Sequence, residues 1–115
     1  QGVGEMSEKQ IVKIVNYLAD EIRNNGITIS KIILFGSQAK GRASAESDID
    51  IAIVSEDFRG KDIFQRTRLI KDAGARTIKR FVVPVDLVLL TPEELNNESS
   101  LVAGYVRTGE ILHAA

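Results

Sequence analysis

Two aspartates spaced two residues apart have the type and spacing to bind a metal ion. Asp48 and Asp50 alternate with isoleucines in the run SDIDIAI. Side chains two apart in a β-strand share a face and lie ~6.5 to 7 Å apart along it, so both carboxylates point towards one site. Two like charges so placed favour a cation. Hard oxygen ligands with no cysteine or histidine nearby favour Mg²⁺ over zinc, and magnesium usually adds substrate phosphates to a few carboxylates. The pair therefore predicts a magnesium-bound polyphosphate substrate.

A small-residue turn provides a second candidate feature. Gly36 and Ser37 follow directly on the apolar run IILF, where a strand is predicted to end. Glycine lets the backbone approach a ligand closely, and Ser37 begins a loop or short helix, up to Ser47, whose free N–H groups suit an anion. The turn is therefore predicted to bind phosphates.

Asp86 is a third carboxylate, placed inside the apolar run VVPVDLVLL. A carboxylate deep in a strand pattern is costly unless it is paired or metal-bound. If Asp86 lies on a strand beside Asp48 and Asp50, it could complete a two-metal site, in which one ion activates the attacking hydroxyl and the other steadies the leaving oxygens. Asp86 is also the natural candidate for the general base.

Each feature alone has an ordinary structural explanation. A lone Asp-x-Asp at a strand mouth is usually a solvated turn, and a lone Gly-Ser after a strand is usually only a turn. Three such features at strand positions that could converge favour a catalytic site instead.

Hydrophobic periodicity predicts the elements that position these residues. Residues 48–53 are predicted to form a strand with one apolar face and one acidic face. The helix after them has an inward-facing stripe that includes Ile63, Thr67, Ile70 and Gly74. In the third strand, Val83, Val85, Leu87 and Leu89 face one side, and Asp86, Val88 and Leu90 the other. The predicted elements are a helix from Ser7 to Asn24, a strand at 27–35 buried on both faces, a strand at 48–53, a helix at 61–79, a strand at 81–90, a helix start at Thr91-Pro92, a helix at 99–107 and a tail from Ile111 to Ala115.

Composition limits the class of protein. With 15 basic and 16 acidic residues in 115, the chain lacks the positive surface typical of nucleic-acid binding, so nucleic acid is not an expected direct partner. It has no cysteine and no apolar run near the ~20 residues of a membrane span, so we expect a cytoplasmic protein with no membrane partner. The length of 115 residues predicts a single domain. Met6-Ser7-Glu8 favours a native start, so this domain is expected over residues 6–115, with residues 1–5 as upstream or vector-derived sequence.

The segment GSQAKGRASAESDIDIAIV resembles the nucleotidyltransferases of the polymerase β-like superfamily, and within it the minimal nucleotidyltransferase (MNT) domains. Their signature is Gly-Ser, ten residues, then Asp-x-Asp, and Asp86 falls where they carry a third carboxylate. The resemblance implies an α+β (α/β) nucleotidyltransferase fold, a small mixed β-sheet with flanking helices. It also implies that Ser37 contacts the β/γ phosphates of a nucleoside triphosphate, that Asp48 and Asp50 bind two Mg²⁺ ions, and that Asp86 shares one ion and aids deprotonation of the acceptor.

Two further residues are candidate nucleotide contacts. Relatives often have arginine where this chain has Gln38 and Lys40, so a phosphate contact could shift to Lys40 or Arg42. Solvated loop charges explain Lys40 and Arg42 about as well. His113 is expected to be an exposed tail residue rather than a catalytic one.

Relatives that modify antibiotics or extend polynucleotides carry an extra helical domain for the acceptor, for which this length leaves no room. MNT domains of this length resemble the antitoxin of HEPN–MNT toxin–antitoxin modules, which transfers AMP from ATP to a tyrosine of the HEPN ribonuclease toxin (AMPylation). The resemblance therefore implies a protein adenylyltransferase with a HEPN-domain partner. Two alternatives stay open: a non-catalytic antitoxin that covers a helical partner, and the catalytic subunit of a small-molecule nucleotidyltransferase with a separate acceptor chain.

Overall fold

The computed structural model describes residues 7–36 and 48–114. Within these ranges no helix is both long and apolar enough to cross a bilayer. The elements are helix α1 (Glu8–Asn24), strands β1 (Lys31–Phe35) and β2 (Ile49–Val54), a 3-10 helix (Glu56–Phe58), helix α2 (Ile63–Phe81), strand β3 (Val85–Leu90), helices α3 (Pro92–Leu95) and α4 (Leu101–Arg107), and strand β4 (Glu110–Ala114).

Helix α1 begins and ends where the sequence predicts. The Ser7 hydroxyl accepts from the Gln10 backbone N–H at 3.2 Å, while the Gln10 side chain accepts from the Ser7 N–H at 3.0 Å, which forms a capping box. The helix stops at Asn25, and Gly26 takes a positive φ of 86°. Its buried stripe carries the predicted apolar residues and Ala19: Ile11, Ile14, Val15, Leu18, Ala19 and Ile22.

The four strands form one mixed sheet in the order β3-β2-β1-β4. Strand β1 is antiparallel to both β2 and β4, whereas β2 and β3 are parallel. A parallel pair requires a long crossover, which α2 supplies. The predicted small mixed sheet with flanking helices is confirmed.

Strand β4 corrects the predicted C-terminal tail. Residues from Glu110 onward pair with β1, with a register shift at Ile32 and Ile33. The tail prediction was wrong because five residues are too few to show a period, and because the partner strand lies about eighty positions earlier in the chain.

The sheet has a core on each face, so β2 does not have the acidic face predicted for it. Only Asp50 is polar on that face, since Ala52 and Val54 are fully buried beyond it. One core packs α1 and α2 on the side of Ile49, Ile51 and Ile53. The other lies on the side of Asp50 and contains Ile33, Phe35, Ala52, Val54, Leu95 and Val106, so α3 and α4 cover it.

Helix α2 starts two residues later than predicted and buries only the later part of the predicted stripe. Asp62 caps it through a capping box with Gln65, and its buried residues are Ile70, Ala73, Gly74 and Thr77. The predicted inward positions Ile63 and Thr67 are exposed and line a groove beside β3.

Strand β3 is shorter than predicted. The helix continues through Phe81, and Val82 ends it in the left-handed conformation, with φ at 53°. The predicted alternation is confirmed: Val83, Val85, Leu87 and Leu89 pack on the α1/α2 side, and Val88 and Leu90 on the α3/α4 side.

Candidate active site

Asp50 lies at the centre of the candidate site. It sits on β2, directly opposite Phe35 of β1 on one side and Asp86 of β3 on the other. Because β2 and β3 are parallel and in register here, Asp50 and Asp86 project from the same face of neighbouring strands. The sheet therefore brings together two carboxylates that are 36 positions apart in the chain.

Asp48 joins this pair from the residue before Ile49, at the start of β2. Its side chain is exposed, and it shares a hydrogen bond with the Asp86 side chain. Asp48, Asp50 and Asp86, the three predicted carboxylates, therefore form one cluster. It lies at the end of the sheet where β1 ends and β2 and β3 begin.

The cluster disfavours its own negative charge. Burial raises the pKa of the Asp50 carboxyl above its usual value, and the charges of Asp86 and Asp48 raise it further. The hydrogen bond to Asp48 is the main cause that raises the pKa of Asp86, followed by burial and by the charge of Asp48. A bound cation would relieve this repulsion.

The donor set suits a hard cation such as Mg²⁺, since it consists of carboxylate oxygens without histidine or cysteine. Across the ranges 7–36 and 48–114, no three acidic or histidine side chains already surround a single point in the way a preformed metal site requires. The fit to magnesium therefore rests on the chemistry and proximity of the carboxylates.

Gly36 lies directly under the Asp50 carboxylate. Its φ of 76° is in the left-handed region, and a Cβ built on it would overlap Asp50 Oδ2 and lie 3.1 Å from Asp50 Cγ. The turn after β1 thus needs glycine for two reasons, backbone conformation and space. Gly36 therefore lies against the carboxylate cluster, and its predicted role in binding the nucleotide stays a prediction.

One argument for Asp86 was wrong, although the residue belongs to the cluster. Its position in an apolar run predicted a buried carboxylate, but the side chain is exposed. Asp86 is the second residue of β3, at the mouth of the strand, because the preceding Phe81 to Pro84 are helix end and connection rather than strand.

Three predicted contacts lie outside the described residues. These are Ser37, Lys40 and Arg42, the candidate phosphate ligands, which stay predictions.

His113 is not the tail residue it was expected to be. It lies on β4 and is half-buried, and the Arg23 guanidinium of α1 lies 3.2 Å from its Nε2. It pairs with Ile32 of β1, three positions before Phe35. His113 therefore lies towards the opposite end of β1 from the carboxylates.

Gly109 supports the site and was not identified from the sequence as a functional residue. A Cβ at Gly109 would overlap the Leu34 carbonyl oxygen and lie 2.8 Å from Phe35 Cβ and 2.9 Å from Ile33 Cγ2. The turn between α4 and β4 therefore packs directly on the last residues of β1, which lead to Gly36. A glycine between a helical pattern and a short apolar run is the sequence feature that could have indicated it.

We expect Gly109→Ala to reduce nucleotide transfer about tenfold or more and to destabilise the fold, because the methyl group must displace the end of β1. Gly104→Ala on α4 is the matched control, since its Cβ would meet only Arg107 Nη2, at an ordinary 3.7 Å. Alanine in a helix interior is favoured over glycine by ~1 kcal/mol, so this control should raise the Tm and keep activity. Transfer kinetics and thermal unfolding of both variants check the expectation, and equal activity of the two would contradict it.

A mixed sheet with three carboxylates at the edge where β1 turns through Gly36 is the arrangement of a nucleotidyltransferase. The family model for the nucleotidyltransferase domain matches residues 11–107, and the chain belongs to this family. It is an enzyme of the nucleotidyltransferase class.

Known relatives agree with this assignment. The chain is 26% identical over 111 residues to a Methanocaldococcus jannaschii protein named a putative protein adenylyltransferase. The aligned region covers 94% of this chain and 75% of the relative. It is similar to a chain in a crystal structure of a toxin–antitoxin with AMP-PNP, at 29% identity and a TM-score of 0.63, over 87% of this chain and 73% of that one. A mutant of the MntA-HpeT toxin–antitoxin is also similar, at 28% identity and a TM-score of 0.58, over 96% of this chain and 75% of that chain.

Proposed function

We propose that this chain is a magnesium-dependent protein adenylyltransferase that moves AMP from ATP to a tyrosine of a HEPN-domain ribonuclease toxin. The observation that carries the proposal is the cluster of Asp48, Asp50 and Asp86 beside the Gly36 turn. The M. jannaschii relative is named a putative protein adenylyltransferase, and a similar solved chain belongs to a toxin–antitoxin with AMP-PNP, which supports both the nucleotide and the kind of acceptor.

In the proposed reaction the acceptor hydroxyl attacks the α-phosphorus of ATP. A bond forms between the acceptor oxygen and the phosphorus, the bond from the α-phosphorus to the pyrophosphate oxygen breaks, and pyrophosphate leaves. The Asp86 carboxylate is the candidate acceptor of the hydroxyl proton, since it is exposed at the mouth of β3.

Magnesium would be held by Asp48, Asp50 and Asp86, and would neutralise the triphosphate and favour the ionised acceptor. The residues themselves supply position: β2 and β3 hold Asp50 and Asp86 in register, and the bare backbone of Gly36 leaves room for the Asp50 carboxylate. Transfer then depends mainly on orientation and electrostatic stabilisation.

The proposal is tested by intact-mass analysis of a HEPN-domain partner after incubation with this chain, ATP and Mg²⁺. We expect the partner to gain one or more AMP units, and peptide fragmentation to place them on tyrosine. Asp50→Asn enzyme is the negative control. Tight binding with an unchanged partner mass would instead indicate an antitoxin that acts by covering its partner, and transfer to a small molecule but to no protein would exclude the protein acceptor.

A further inference from the structure

An open groove runs along the free edge of the sheet. Strand β3 is the outermost strand on this side, and the groove lies between it and the first turns of α2 and α4. Its volume is about 570 Å³, its floor is Leu87 to Leu90, and Ile63 and Val102 stand on opposite walls.

Exposed apolar side chains concentrate around this groove. Ile63 and the adjacent Phe64 are 69% and 74% exposed, and Leu101 and Val102 are 91% and 53% exposed. These four, all in the first turns of α2 and α4, are nearly half of the nine large apolar side chains exposed in the described ranges. Such a concentration of apolar surface is typical of an interaction site.

Both first turns begin with an N-cap hydrogen bond. The Asp62 carboxylate accepts from the Gln65 N–H at 2.8 Å, and the Ser100 hydroxyl accepts from the Ala103 N–H at 3.1 Å. Capping satisfies backbone groups that would otherwise fray the turn. The exposed apolar side chains are therefore presented on fixed backbone, which reduces the entropy lost when a partner binds.

The edge of β3 is protected against addition of another strand. The Arg66 guanidinium donates to the outward Leu89 carbonyl at 3.0 Å and is held there by two bonds to the Glu94 carboxylate, at 2.6 and 2.9 Å. The Arg66 side chain is only 12% exposed, so it occupies the place a strand would take. A helix needs no backbone ladder and can lay an apolar face in the groove.

The groove leads along β3 towards the active site, although none of the three clustered carboxylates lines it. Its first floor residue, Leu87, follows Asp86 directly, and at ~3.3 Å per residue its far end at Leu90 lies ~13 Å from Asp86. That length matches about two turns of a helix, each 5.4 Å in pitch. A protein seated here would hold its neighbouring surface at the mouth of the carboxylate cluster.

We propose that this groove binds an amphipathic helix of the protein acceptor, and that the contact brings the acceptor hydroxyl to Asp86. This inference rests on the proposed function, which supplies the protein acceptor. The helix inserts apolar side chains spaced by three or four residues between Ile63 and Val102.

The test compares two matched double variants of the full chain. Ile63→Ser with Val102→Ser removes apolar contacts on both walls of the groove, and Ile111→Ser with Val12→Ser changes the same residue types on β4 and α1, where they are 53% and 44% exposed. The probe is a purified HEPN-domain protein, the class of acceptor named in the proposed function. We measure its Kd by calorimetry, the Kd for AMP-PNP with Mg²⁺, and the Tm.

We expect the groove pair to weaken partner binding about tenfold or more, with the AMP-PNP affinity unchanged and the control pair within about twofold of wild type. Equal partner affinity of the two pairs would overturn the inference, as would a wild-type homodimer that only the groove pair dissociates, because the occupant would then be a second copy. If wild type binds the partner through the groove without modifying it, the proposed function fails, and of the inference only the docking of the partner in the groove stands. If wild type modifies the partner but both pairs bind alike, only the inference fails. No binding of the partner by wild type removes both.

Discussion

Asp50→Asn is expected to abolish nucleotide transfer and, at neutral pH without metal, to raise the Tm by a few degrees. The amide keeps the size of the carboxylate but removes the charge at the centre of the cluster. Loss of a group that stabilises charge in the reaction lowers the rate on the order of 10² to 10³-fold or more. The stability gain follows because burial and the charges of Asp86 and Asp48 make the ionised Asp50 unfavourable in the folded state.

The pH dependence of this gain has a definite sign. The pKa of Asp50 is raised in the folded protein above its ordinary 3.8, so the folded state binds its proton more tightly than the unfolded state. Below pH 3.8 Asp50 is protonated in the wild-type protein, and the free energy of unfolding has its full value. The part of that free energy that depends on the proton is lost as the pH rises through the folded-state pKa of Asp50. The Tm difference between Asp50→Asn and wild type should be absent at the acidic end and should reach its full size at neutral pH.

Two further measurements separate this origin from a general charge effect. Asp72→Asn, on the exposed side of α2, changes the net charge by the same amount and should leave both the Tm and the transfer rate near wild type. Under the proposed function, Mg²⁺ should raise the Tm of wild type more than that of Asp50→Asn. An Asp50→Asn enzyme that transfers nucleotide at the wild-type rate would show that the site is misassigned.

Local patterns predicted those parts of the fold whose causes are local. Helix α1 has a capping box and a stop signal within its own sequence, and Thr91-Pro92 begins α3 for the same reason. The period of two between Asp48 and Asp50 likewise requires only that the segment be extended. Strand β4 and the closeness of Gly109 to β1 depend on contacts between distant parts of the chain, which no short window of sequence contains.

The site itself was predicted as a set of residues but not as a geometry. The register that places Asp86 beside Asp50 depends on where α2 ends, and Val82 ends it in a left-handed conformation that is unfavourable for a β-branched residue and therefore not expected from the sequence. That ending also moves Asp86 to the mouth of its strand, where a carboxylate can meet a substrate. The burial argument for Asp86 thus failed for the same reason that the residue is suited to its proposed role.

Gly36→Ala is expected to reduce transfer by about 10²-fold or more, because the new methyl group would occupy the place of Asp50 Oδ2 and push the carboxylate out of the cluster. The left-handed backbone adds a penalty of roughly 1–2 kcal/mol for a residue with a Cβ. Gly60→Ala separates the two effects, since Gly60 has almost the same φ, 75° against 76°, and open space around its Cβ. Both variants should lose a few degrees of Tm, but only Gly36→Ala should lose activity. If Gly60→Ala lost as much activity, backbone strain alone would be the cause and the contact with Asp50 would have no catalytic role.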